Sequence, residues 1–272
     1  MKASCRFVED NEIRSSSGAG PTGCRGAFDA AGMARRGALP IVHSFACFLA
    51  ARPNEQIYNQ CSESSKVIYV GSLAGLLPSG PGHSHQSVRD IAALASIPGL
   101  VALEPSCQEE VALAVDYCVK GTRESCYLRL VSVPCDVPYQ LPPGYRLQEG
   151  RGAVLTEGDN AVLFGYGPVL LPQACAAAAA LKTEHGIGLS VVNLPWLNRV
   201  DDTWLRRTLG DRRDVFTLDN HYIHGGQGQL IASRIASRLP SHIEVDDLIN
   251  SGIIGLIDAI EKFDASRKIK FK

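Results

Sequence analysis

Net charge is almost absent from this chain: 27 Lys and Arg against 28 Asp and Glu leave a formal charge of −1. Without a basic excess there is no electrostatic reason to expect nucleic acid or an acidic membrane surface as a partner. No apolar run is long enough to span a bilayer, and Met1 opens no basic segment followed by an apolar one, so a cytoplasmic protein is expected. The nine cysteines include no Cys-x-x-Cys pair. Cys47, Cys118, Cys126 and Cys175 sit inside apolar segments, which points to buried free thiols rather than disulfides or a zinc site. Gly165 and Gly167 lack the third glycine of a dinucleotide loop, so GYG reads as a tight strand-to-helix turn. His221 and His224 lack a third ligand, and no metal site is expected there. What the chain does have is 45 % hydrophobic and only 20 % charged residues over 272 positions, enough for one or two cores.

Its organisation falls into four pieces and a tail. Residues 1–30 contain RSSSGAGPTGCRG, a serine- and glycine-rich stretch without periodicity, expected to be irregular or disordered. Over residues 31–133 strand and helix signals alternate: LPIVHSF, KVIYVG and CYLRLVSV read as strands, and EEVALAVDYCVKG as an amphipathic helix. Such alternation implies parallel strands joined by helical crossovers. Residues 134–150 hold four prolines, Pro134, Pro138, Pro142 and Pro143, and no helical pattern, which marks an interdomain linker. A second series fills 151–232, with AVLFGYG, an alanine-rich helix, LSVVNL, TWLRRTLG and DVFTLD. Residues 233–272 read as a helical tail. The expected fold class is α/β, with two parallel-sheet domains followed by that tail.

The stretch from Gly80 to Gln86, GPGHSHQ, sets two histidines in a glycine-rich turn. The strand before it runs from Lys66 to Gly71. After it, Val88, Ile91, Ala92 and Ala95 share one helical face until Pro98 and Gly99 stop the helix, and Leu100 to Leu103 begin another strand. The turn therefore sits at the carboxyl end of a strand, where open α/β sheets place their ligands. Read by spacing alone, the histidines belong to a surface loop and only tie down the turn.

Taken in order, IVHSFACFLAARPNEQI, VIYVGSLAGL, GPGHSHQSVRDIAAL and IPGLVALEPS resemble the pyrimidine-binding domain of transketolase-like enzymes that use thiamine diphosphate. SCYLRLVSVP resembles the last strand of that domain. GDNAVLFGYGPVLLPQACAAAAAL, GIGLSVVNLPWLNRVD and VFTLDNHYIHGGQG resemble the family's C-terminal domain. The resemblance covers about residues 30 to 230 and implies a ketol transferase that moves a two-carbon unit. It further implies that Phe48 stacks on the cofactor's pyrimidine, that Phe45 lines the same pocket, and that His85 contacts the substrate. Arg129 would grip the substrate phosphate. Without the resemblance, the two phenylalanines read as ordinary core and Arg129 as a surface cation at a strand end. His83 has no counterpart. The family's Asp-Gly-Pro before the histidine is here Ser79, Gly80 and Pro81, followed by an extra Gly82-His83 pair, so the aspartate that reads a substrate hydroxyl is missing.

In the same family a glutamate in a Gly-apolar-x-Glu run, soon after an Arg-Phe pair, hydrogen-bonds the pyrimidine N1′ and drives deprotonation of the cofactor. Arg6 and Phe7 open as expected, then NEIRSSSGAGPTGCRGAF replaces that run, and the resemblance resumes from Ala30 to Pro40. Counting on from Phe7, the glutamate falls at Arg14, with Glu9 and Glu12 the nearby carboxylates of the right type; Glu12 is the candidate. The interval reads as a local frame error or a degenerate segment, which sequencing across codons 10 to 30 checks. A Gly-Asp-Gly run followed by Asn, the metal and diphosphate site of the family's other thiamine domain, is absent too. The resemblance therefore implies that this chain holds only the pyrimidine end of thiamine diphosphate. Magnesium and diphosphate would be held by a partner chain, and the C-terminal domain would be a surface for homodimerisation.

The tail from Ser241 to Lys272 resembles the start of the core-binding region of bacterial sigma factors, most specifically in DDLINSGIIGLIDAI. Ser241 and Glu244 have capping-box spacing, and Val245, Leu248, Ile249, Ile253, Leu256, Ile257 and Ile260 keep one broad helical face. This resemblance implies contact with core RNA polymerase and no direct reading of DNA. An amphipathic tail packed on its own domain, or an inactive fusion of two unrelated fragments, are the alternatives.

Overall fold

The structure, a computed structural model, describes residues 5–9 and 22–25 as backbone and residues 26–77, 80, 82–212 and 214–237 with their side chains. Among these residues the first half of the chain forms a sheet of five parallel strands: β1 (Cys5–Glu9), β2 (Leu39–Phe45), β3 (Ile68–Ser72), β4 (Leu100–Leu103) and β5 (Ser125–Arg129), in the order β1-β2-β3-β5-β4. Helices α1 (Thr22–Arg35), α2 (Ala46–Ala51), α3 (Asn54–Ser62), α4 (Asp90–Ala95) and α5 (Gln108–Asp116) make the crossovers, and α5 continues into a π turn over Tyr117–Gly121. Every side chain of β4 and β5 is buried, as a parallel sheet covered on both faces requires. On one face Val42, Tyr69, Leu100 and Tyr127 pack against Leu49, Ile57 and Leu94 of the helices.

The second half builds a sheet from β6 (Ala153–Thr156), β7 (Ala161–Gly165), β8 (Leu189–Asn193) and β9 (Asp214–Leu218), in the order β6-β8-β7-β9. Helices α6 (Gly167–His185), α7 (Asp202–Leu209) and α8 (Gln227–Ala236) complete it. Strands β7, β8 and β9 are parallel, as the alternating pattern predicts, whereas β6 is an antiparallel edge on β8 that the pattern does not reveal. GYG is indeed a strand-to-helix turn: Gly165 ends β7, Tyr166 caps α6, and Gly167 turns with φ +75°. A Cβ on Gly167 would lie 2.0 Å from Glu104 Oε1, so only glycine lets the start of α6 reach the end of β4. At its other end α6 stops at Gly186 (φ +68°), with Gly186 N and Ile187 N donating to Lys182 O and Leu181 O in a left-handed helix cap.

The two halves share a core. Ile68, Val101, Leu103 and Leu128 of the first sheet pack in one cluster with Val162, Phe164, Val192 and Trp196 of the second half. The outer edge of β4 is closed by residues 195–198: Glu104 N donates to Pro195 O (2.9 Å), Leu197 N to Ala102 O (2.9 Å) and Ala102 N to Asn198 Oδ1 (3.0 Å). An edge so covered offers no free strand for wrong pairing.

Three boundaries differ from the sequence reading. Within the stretch expected to be irregular, β1 pairs in register with β2, and α1 begins at Thr22. Tertiary contact overrides the glycine-rich composition there, since Ala27 and Ala30 are buried and Gln60 Nε2 donates to Ala27 O. Residues 134–150 form no helix or strand, but they are bound to the body as a strap: Leu141 is buried, Tyr139 OH donates to Ser106 O (3.0 Å) and Tyr145 OH to Glu110 Oε1 (2.7 Å). Helix α8 runs past the expected boundary at 232 to Ala236. The sigma-like segment from Ser241 to Lys272, like Glu12 and Arg14, lies outside the described residues. Among the described residues no helix is long and apolar enough to cross a membrane.

Candidate functional site

At the carboxyl end of the first sheet, β2 ends on Phe45, which takes the extended cap position of α2 (φ −63°, ψ 138°). Phe48 follows in the first turn of α2, and the two ring centroids are 5.9 Å apart. The turn after β3 brings His85 against both, 5.0 Å from Phe48 and 5.8 Å from Phe45, edge-on in each case. His85 N donates to Gly82 O (3.0 Å), which closes the turn around Gly82 at φ +82°. The Nδ1 atom of His85 is 3.0 Å from Ser84 Oγ. Phe45, Phe48 and His85, singled out far apart in sequence, thus form one cluster, whereas His83 is exposed on the outside of the same turn.

Two further groups complete the rim. The guanidinium of Arg52, one turn after Phe48, lies 3.9 Å from the centre of its ring, a cation–π contact. His43 Nε2 and Ser72 Oγ, at the ends of β2 and β3, are 3.0 Å apart. Backbone register puts Glu9, the last residue of β1, opposite His43. Because Phe45 remains 38 % exposed, aromatic surface stays open at the end of the sheet. Phenyl faces beside an imidazole suit a flat heteroaromatic ring with a polar edge.

Arg129 is placed differently from the sequence reading. It is fully buried, with no surface for a substrate phosphate. Its Nε donates to Asp90 Oδ2 (2.7 Å), its Nη1 to Glu104 Oε2, and its Nη2 to the carbonyls of Ser87 and Asn220 (2.9 Å each). Tyr127 OH also donates to Asp90 Oδ2 (2.6 Å). Burial pushes the Asp90 carboxyl up, but the charge and hydrogen bonds of Arg129, with the Tyr127 hydroxyl, more than offset it and hold Asp90 below its ordinary range. The arginine is therefore the hub of a buried network between the two halves. Sequence reasoning missed Asp90 and Glu104; the available signal was a carboxylate opening an otherwise apolar helix and another closing a wholly apolar strand.

His221 and His224 do not converge on a metal-binding group. His221 Nδ1 lies 2.6 Å from Tyr222 O and its Nε2 accepts from Ala92 N (3.3 Å), while His224 stacks edge-on against Tyr222 at 5.4 Å. Among the described residues no group of three or more His, Cys, Asp or Glu is placed to hold a metal ion. The described cysteines are free thiols, with Cys61, Cys118 and Cys126 buried and Cys47 and Cys175 partly so.

Comparison with known proteins identifies the two halves of the chain. The family profile described as the transketolase pyrimidine-binding domain matches residues 27–131, which contain Phe45, Phe48 and His85. The profile described as the transketolase C-terminal domain matches residues 150–247, past the boundary drawn at 232. A 1-deoxy-D-xylulose-5-phosphate synthase of Oryza sativa subsp. japonica is 30 % identical over 216 residues, covering 76 % of this chain and 28 % of the rice protein. A transketolase family protein of Sinorhizobium fredii is 30 % identical over 208 residues, covering 76 % of this chain and 59 % of that one. This chain thus spans only part of the length of either relative. Among solved structures, a split-gene transketolase described as an inactive β4 tetramer superposes with a TM-score of 0.69 at 28 % identity, covering 78 % of this chain and 68 % of that chain. A transketolase variant of Pichia stipitis shares the fold with a TM-score of 0.64 at 17 % identity, over 73 % of this chain and 30 % of that one. Residues 27–131 are therefore a transketolase pyrimidine-binding domain, and residues 150–247 a transketolase C-terminal domain.

Proposed function

We propose that this chain is the subunit of a transketolase-like, thiamine diphosphate-dependent ketol transferase that carries the pyrimidine-binding and C-terminal domains. A partner chain would supply the diphosphate and magnesium site. The observation that carries this reading is the Phe45–Phe48–His85 cluster at the carboxyl end of the first sheet, inside the span matched by the pyrimidine-binding profile. When bound, thiamine diphosphate supplies a nucleophilic carbon that takes up the two-carbon unit. Phe48 gives the pyrimidine a flat apolar face, and Phe45 excludes water beside it. With Nδ1 engaged by Ser84, His85 keeps Nε2 to hold a substrate hydroxyl or pass a proton. Glu12 is proposed as the carboxylate at the pyrimidine N1′. The similarity to proteins named 1-deoxy-D-xylulose-5-phosphate synthases favours a phosphorylated sugar on one side of the reaction. With Arg129 sequestered, its phosphate must be bound elsewhere.

The test mixes this chain with a diphosphate-domain partner, thiamine diphosphate and Mg²⁺, and follows both calorimetric cofactor binding and ketol transfer. Binding and transfer that require both chains are expected; absence of cofactor binding by the pair would overturn the reading. Within that assay Glu12→Gln should cost at least about 100-fold in rate, the ordinary scale for a general acid–base group. Unchanged turnover would remove Glu12 from the site.

The run DDLINSGIIGLIDAI supports a second, separable reading for residues 241–272, contact with core RNA polymerase. Pull-down of core polymerase by the full chain and not by a chain ending at residue 240 is the expected result; equal capture by both sinks it.

A further inference from the structure

Asn220, two residues beyond the end of β9, reaches across to the turn that carries His85. It is 4 % exposed. Its Oδ1 accepts from Leu76 N (3.1 Å), and its carbonyl accepts from Arg129 Nη2 (2.9 Å). The same Nη2 donates to Ser87 O (2.9 Å), and Ser87 exchanges both backbone hydrogen bonds with Gly75 (3.1 and 2.9 Å). That exchange closes the base from which His85 projects. The neighbours of Asn220 extend the same seam: His221 Nε2 accepts from Ala92 N (3.3 Å), and Tyr222 N donates to Val88 O (2.8 Å).

The side chain of Asn220 lies flat on Gly75, where a Cβ would fall 2.0 Å from Nδ2 and 2.3 Å from Cγ, at a φ of +81°. Its Nδ2 is buried without a protein partner. A buried idle donor is unfavourable, and an apolar side chain there would avoid that penalty. What the amide supplies in exchange is the Oδ1 acceptor for Leu76 and a planar group thin enough to lie against Gly75. We propose that Asn220 is a positioning residue, contributed by the C-terminal domain, which fixes the His85 turn of the pyrimidine-binding domain. Its relevance to turnover rests on the reading of His85 as a substrate contact.

Amide hydrogen exchange on the full chain tests it, comparing Asn220→Ala, the milder truncation Asn220→Ser, and Asn220→Asp, which keeps the acceptor and drops the idle donor. Loss of the acceptor is expected to speed exchange at residues 82–88 about tenfold while β7 and β8 keep their protection. Asn220→Asp should slow exchange at 82–88 relative to both truncations, short of the wild type because it buries a carboxyl group. Unchanged exchange at 82–88 in both truncations, or an equal rise across both sheets, would overturn the proposal. In the reconstituted enzyme the truncations should raise KM for the substrate more than they lower kcat. Faster exchange at 82–88 with KM unchanged would uphold the positioning role and remove His85 from the substrate instead.

Discussion

Replacing Phe48 by alanine removes the ring that stands 5.0 Å from His85 and beneath the Arg52 guanidinium. Phe48 is only half-buried, so the loss should fall on ligand binding more than on folding. Aromatic pairs are worth about 0.5–1.5 kcal/mol beyond area burial, so Phe48→Ala should weaken thiamine diphosphate binding by the reconstituted pair about tenfold. Unaltered affinity in calorimetry would remove Phe48 from the cofactor. Arg129 behaves in the opposite way. Arg129→Met strands two buried carboxylates, Asp90 and Glu104, and should cost about 3–5 kcal/mol in urea unfolding. A phosphate grip would instead raise KM and leave stability alone. The pH dependence carries a sign. In the wild type the Asp90 carboxyl is held below its ordinary 3.8, so its stabilisation is present above that value and is lost as pH falls through the lower, folded one. With Arg129 gone, burial, the largest influence on Asp90, is opposed only by the Tyr127 hydroxyl and by His221, and it pushes the carboxyl up. Its contribution to stability in Arg129→Met should therefore decline as pH rises from about 4, the reverse of the wild type.

At the scale of elements, the central strands and helix α4 are legible, whereas the edge strands β1 and β6 and the helices α2 and α3 are not. Strands β2, β3, β7 and β8 can be read from runs rich in β-branched and apolar residues, broken by few polar ones such as His43, Ser44 and Ser190, because a parallel sheet covered by helices buries much of both faces. Helices α2 and α3 show little local signal: α2 has six residues and neither has a side-chain cap hydrogen bond. Tertiary packing sets them. Gly71 in β3 lets α2 lie directly on the sheet, since a Cβ there would come within 2.7 Å of the Tyr127 ring and 3.1 Å of Ala46 Cα. The site was half legible for the same reason. Phe45 and Phe48 lie three apart where β2 passes into α2, close enough in sequence to be paired, but the burial of Arg129 depends on partners up to 91 residues away, which no spacing reveals. Gly71→Ala should cost about 1–3 kcal/mol by overpacking and push α2 outward with Phe48 on it. Thermal unfolding measures the first effect and weaker cofactor binding the second; a variant as stable and as tight-binding as the wild type would show that α2 has slack.

Taken as a whole molecule, the chain joins its two halves through more than the proline-rich segment. Glu110, fully buried, accepts from Ser106 N (2.7 Å) at the start of its own helix, from Tyr145 OH (2.7 Å) in the strap, and from Asn193 Nδ2 (2.9 and 3.0 Å) at the end of β8. One carboxylate thus ties the first domain, the strap and the second domain together. Trp196 packs edge-on against Tyr117 at 5.0 Å within the shared core, so its fluorescence reports on the junction. A linker of independent domains would let the halves unfold separately; a shared core and a common carboxylate make them one cooperative unit. Urea unfolding followed by far-ultraviolet circular dichroism and by Trp196 fluorescence, in a Trp204→Phe background, should therefore give coincident transitions. Glu110→Ala leaves the Tyr145 hydroxyl and the Ser106 N–H without their acceptor and reduces the Asn193 amide to its bond with Ser106 Oγ (3.1 Å). At about 1–3 kcal/mol for each stranded buried donor, both transitions should move together to markedly lower urea. If the fluorescence change instead precedes the dichroism change in the wild type, the junction opens before the domains do. The strap would then be the flexible linker its prolines suggest.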